Sequence, residues 1–84
     1  MLSKPTIHFN GTSAQSLLEN YTNVLEKVRE LGLSMTKIYP HGRDYYPQGQ
    51  LAILMAMDEW KNMNSTISGL ESEMIEMVEY LLEH

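Results

Sequence analysis

The 84-residue chain has no cysteine, one tryptophan, one phenylalanine, three prolines, and six Lys or Arg against eleven Asp or Glu. The missing cysteine excludes disulfides and every thiolate zinc site. No apolar run approaches the ~18 residues of a membrane span, and no N-terminal stretch joins basic residues to a long apolar core. The expectation is a soluble, cytoplasmic protein without a membrane partner. The scarcity of clustered basic residues argues against duplex nucleic acid, whose non-specific affinity comes from neutralising many phosphates. Also absent are a Gly-x-Ser-x-Gly elbow, a Walker-type loop and a dinucleotide fingerprint. Two His-x-Ser/Thr elements would mark a two-histidine phosphoesterase, but His8 precedes Phe9-Asn10 and His41 precedes Gly42-Arg43. His41 and Asp44 lack a third ligand at helix-fixed spacing, so no metal, cofactor or catalytic residue is expected.

Eighty-four residues make one domain, residues 1–84, which buries only roughly 60 to 65% of the surface its unfolded chain exposes. Without disulfide or metal, self-association is the expected compensation. The net charge of -5 is uneven. Residues 1–49 hold five Lys/Arg and four Asp/Glu, whereas residues 50–84 hold one Lys and seven acids.

The pattern predicts a mainly α fold: a homo-oligomeric helical hairpin with a long C-terminal helix and room for one or two short β-strands. Pro5-Thr6-Ile7-His8-Phe9 alternates as a half-covered strand does. Thr12 and Gln15 fit a capping box opening helix one, from about Ser13 to Leu31. Its stripe is Leu17, Tyr21, Val24, Val28 and Leu31, widened by Leu18 and Leu25. Gly32 reads as a left-handed C-cap. Residues 34–39 suit a second strand, and prolines 40 and 47 predict an ordered, non-helical loop over 39–47. From about Gln48 a helix of more than thirty residues follows, with Gly69 as a kink or weak point. Helix one is too short to cover its whole apolar stripe. The spacing of Ile67, Leu70, Met74, Met77 and Leu81 places an intermolecular seam in the last third.

The least scaffold-like stretch is "PHGRDYYPQG", residues 40–49. Arg43 offers a planar fork for phosphate or carboxylate, Tyr45 and Tyr46 offer faces for a base, and a helix start supplies backbone N–H groups. Asp44 would orient Arg43 or accept from a base or ribose. Lys37, His8 and Asn10 complete the candidate ligand-binding set. The plainer alternative is that Arg43 pairs with Asp44 or a helix glutamate while the tyrosines fill space between helices. His8 then faces solvent, Lys37 is solvated, and Trp60 and the methionines are core or interface filler.

Two short motifs, Asn-Gly-Thr-Ser at residues 10–13 and Arg-Asp-Tyr-Tyr-Pro at residues 43–47, with the long glutamate-rich closing helix, resemble a group of small bacteriophage-encoded accessory proteins. The resemblance implies a phage protein in the host cytosol, acting against host defence. The favoured expectation is a sponge, which holds a small nucleotide-type ligand (a cyclic oligonucleotide or cyclic ADP-ribose derivative) in pockets of a homo-oligomer without cleaving it. One alternative is an acidic inhibitor that docks on a basic host defence complex through the C-terminal half. Another is a phage structural or assembly component.

Overall fold

The computed structural model describes residues 2–84, and their secondary structure is helical throughout. Helix α1 spans Ala14–Thr36, a one-turn helix α2 spans Gly42–Tyr45, a 3-10 turn covers Tyr46–Gln48, and α3 spans Gln50–Leu82. The two long helices form an antiparallel hairpin inside an elongated envelope of 62 × 20 × 17 Å. No helix among the described residues is long and apolar enough to cross a membrane.

Ser13, in extended conformation, caps α1 by accepting the Ser16 backbone N–H at 3.1 Å. The expected Thr12–Gln15 box is not formed, because Gln15 instead donates along the helix to Glu19 at 3.4 Å. Helix α1 also runs through Gly32 to Thr36, which corrects both the predicted stop and the second strand. Its buried residues, Leu25, Val28 and Met35, lie at spacings of three and seven. This is a heptad-like seam against α3, with Gly32 between Val28 and Met35. Burying Met35 and tying its carbonyl to the Trp60 indole N–H at 2.9 Å offsets the roughly 1 kcal/mol that a mid-helix glycine costs. The predicted stripe was rotated from the real one, since Val24 and Leu31 are exposed. A β-carbon at Gly32 would meet nothing within 4 Å. Gly32→Ala is therefore expected to raise stability by about 1 kcal/mol, read as a higher denaturation midpoint; a lower midpoint would refute this account of Gly32.

The N-terminal segment forms no strand. A strand needs a neighbour, and the segment that was to supply one is the last turn of α1. The segment is instead fastened to the C-terminal half of α3 at two points, where Lys4 Nζ meets Glu76 Oε1 at 2.8 Å and the Tyr80 hydroxyl donates to the Pro5 carbonyl at 2.8 Å, while Phe9 beyond them is fully exposed. The hydrogen bond from Lys4, with its positive charge, holds the Glu76 carboxyl below its ordinary pKa. A carboxyl depressed in the folded state stabilises above its unfolded pKa and stops doing so as pH falls through its folded pKa. Lys4→Met should thus lower Tm at neutral pH, and its gap from the parent should close in acid. A gap constant from neutral pH into acid would show that the pair does not hold this segment.

Helix α3 continues through Gly69 without a break. At 1.5 Å per residue α3 is about 50 Å long and α1 about 34 Å. The overhang falls where the sequence reading did not put it. Met74, Met77 and Leu81 are buried against their own chain, whereas Leu51, Leu54 and Met55 at the start of α3 are exposed. Met74, Met77 and Leu81 therefore belong to the hairpin's own core and not to an intermolecular seam, whereas Leu70 of the expected seam is exposed.

Candidate functional site

The corner between the long helices is more helical than its two prolines suggested. His41 caps α2 by accepting the Arg43 N–H through its imidazole Nδ1 at 3.3 Å. Tyr46 is helical (φ -49°, ψ -45°) although it precedes a proline. Pro47 sits in the first turn of the 3-10 segment, where its missing N–H deprives no carbonyl of a partner. Gly49 then takes φ 96° and ψ 169°, a conformation that is essentially glycine's alone, and turns the chain into α3. No side chain caps α3 among the described residues; its Ala52 N–H donates to the Gly49 carbonyl at 3.3 Å, and the helix start leaves its earlier N–H groups without an intrahelical acceptor.

The corner separates the predicted residues. Arg43 and Tyr46 share an open depression with Gly42, and Tyr46 continues onto the start of α3 beside Gly49, Gln50 and Ile53. Arg43 forms no ion pair among the described residues, with Asp44 or with any glutamate. Tyr46 is 84% exposed, so it fills no space between helices. Tyr45 is half-buried and packs at the edge of this face. Asp44 and Lys37 are exposed, and neither lines the depression.

His8 and Asn10 lie at the opposite end of the hairpin. Their segment is fixed beside Glu76 and Tyr80, whereas Arg43 sits by the first turn of α3. The His8 ring covers Gly11, where a β-carbon would come within 2.7 Å of Nε2, and the His8 carbonyl accepts the Gly11 N–H at 3.1 Å. Within one chain these two residues cannot share a ligand with Arg43.

On its other side the corner borders a groove of about 480 Å³. It is lined by Ile38, Pro40, Tyr45, Ala52, Ala56 and Trp60, with Glu59 as its carboxylate. The ring of Tyr39 stands edge-on to Trp60 at 4.8 Å and 80°, which fixes the wall. Sequence reasoning passed over this groove, although Ala52 and Ala56, one turn apart, signal a helix face with room for close approach.

The glutamates of α3 are partly engaged. Glu71 accepts from Arg29 at 3.1 Å and Glu76 from Lys4, which leaves less of that surface for mimicking an anionic polymer. Among the described residues no three His, Cys, Asp or Glu side chains gather as a metal site. Compared with protein families, curated proteins and solved structures, the chain matches none.

Proposed function

We propose that this protein sequesters a small nucleotide-type anion at the corner of its hairpin and does not cleave it. The observation that carries the reading is the pair of Arg43 and Tyr46, exposed on one face, their side chains without hydrogen-bond or ion-pair partners among the described residues, beside the start of α3. The guanidinium takes a phosphate through two parallel N–H bonds, the tyrosine ring stacks on the base, and the positive end of the α3 dipole complements the negative charge. Tyr45 buttresses the face, and Asp44 is free to accept from a base or ribose. Lys37 adds only general positive potential.

The depression is open, so a second copy of the chain supplies the remaining wall, in keeping with the small size of one domain. Cyclic oligonucleotides and cyclic ADP-ribose derivatives combine phosphates with stackable bases and are the ligand classes that fit. With the resemblance to small phage proteins, the reading is of a counter-defence sponge in the infected host cytosol. The charge-mimicry alternative is less favoured, because Arg29 and Lys4 already hold two of the glutamates it would use.

A thermal-shift screen against those two ligand classes tests the reading. A true ligand raises Tm by the linkage term RT ln(1 + [L]/Kd), and the shift grows with concentration. The reading fails if no member of either class shifts the transition at high concentration.

A further inference from the structure

We infer that the groove beyond the end of α1 is the seat of a second copy of this chain, so that two hairpins associate through the first three turns of α3. The groove continues the face of α3 on which α1 lies. Helix α1 stops at Thr36 after its carbonyl-to-indole tie at Trp60, and the same face runs on through Ala56 and Ala52 with no helix upon it. Those alanines, four residues apart, let another helix backbone come close, and the exposed Met55 forms the lip.

Charge selects a second copy as the occupant. Residues 37–63 carry three cations (Lys37, Arg43, Lys61) and three anions (Asp44, Asp58, Glu59), so the whole net charge of -5 lies elsewhere. None of the six is ion-paired within the chain among the described residues. Two copies can therefore meet at this end without repulsion and with opposite charges available to both, whereas their other ends repel. A nucleic acid or a strongly charged protein would gain nothing from a neutral patch.

The groove is also apolar at its rim: Ile38, Met55 and Met63, all exposed, line it, and Tyr39 stands beside them against Trp60. Arg43 does not line the groove, so the interface leaves its side chain free for ligand while the second copy borders its face from the groove side.

This inference deepens the sequestration reading by naming the source of the second wall, and mass measures it without reference to any ligand. Light scattering coupled to size exclusion should give the parent chain twice the 9.7 kDa of one copy. Ala56→Arg, which places a long cation in the groove, should return the mass to that of one copy with helicity unchanged by circular dichroism. Met55→Glu, at a position 64% exposed, should do the same and cannot act through the core. A parent chain that stays at one copy at high concentration overturns the inference, as does an Ala56→Arg or Met55→Glu protein that keeps the doubled mass. If the mass behaves as expected and no nucleotide binds, the interface stands and the ligand reading falls.

Discussion

Met77→Ala lowers stability by about 2 to 5 kcal/mol, whereas Leu51→Ala on the same helix changes it by less than about 0.5 kcal/mol. Met77 is 1% exposed and sits with Met74 and Leu81 in the core closed by α1 and the N-terminal segment. Truncating it removes its transfer energy and leaves a cavity that two long helices, tied together at Glu71 and Trp60, cannot collapse to fill. Leu51 is 73% exposed in the single chain and has no cavity to leave. A domain of this size holds roughly 4 to 12 kcal/mol in total, so Met77→Ala consumes a large share of it and lowers Tm by at least about 8 °C. Urea unfolding checks the pair of variants at a concentration low enough to keep the chains apart. Equal losses at the two positions would mean that the core does not lie at the end of the hairpin away from the corner.

Arg43→Ala weakens ligand binding by roughly ten- to a hundred-fold, because a hydrogen bond to a charged group is worth about 1.5 to 3 kcal/mol. The fold should not notice, since Arg43 is exposed and pairs with no acid among the described residues. Arg43→Lys keeps the charge but loses the planar fork, so it should fall between parent and alanine. A thermal-shift series of the three proteins with and without ligand separates the effects: the ligand-free midpoints coincide and only the ligand-induced shifts differ. Coincident ligand-induced shifts would remove Arg43 from the site.

The long C-terminal helix was legible because its apolar spacing persists over more than thirty residues, and the observed Gln50–Leu82 matches it within two residues at its start. The hairpin followed from that helix and the shorter one before it. What periodicity could not show was how far helix one runs. Gly32 has the local signature of a stop, but the buried partner that carries the helix past it, Trp60, lies 25 residues from Met35 and is a tertiary fact. The same distance problem hid the overhang. The apolar stripe of α3 looks alike at both ends, and only the antiparallel register shows that Met74 to Leu81 are covered while Leu51 to Met55 are not.

At the corner, Arg43 and the tyrosines stood out by residue type, and the structure distinguishes them. Tyr45 packs, Tyr46 does not, and Arg43 lacks the carboxylate partner that its neighbour Asp44 had suggested. His8 and Asn10 were grouped with them as parts of a pocket that a homo-oligomer would bring together. Lys4 and Pro5 fasten the N-terminal segment to the other end of α3 instead. His41 was weighed as an acid-base or metal residue, and its imidazole serves as the cap of α2.

Calorimetric titration of cyclic oligonucleotides and cyclic ADP-ribose derivatives into the parent chain and Arg43→Ala, side by side, tests the central claim most directly. The account predicts saturable binding of at least one ligand to the parent, a Kd roughly ten- to a hundred-fold weaker for the variant, and ligand recovered chemically intact from the denatured complex. Binding of equal strength by both proteins, no binding by either, or a recovered ligand that has been cleaved would contradict it.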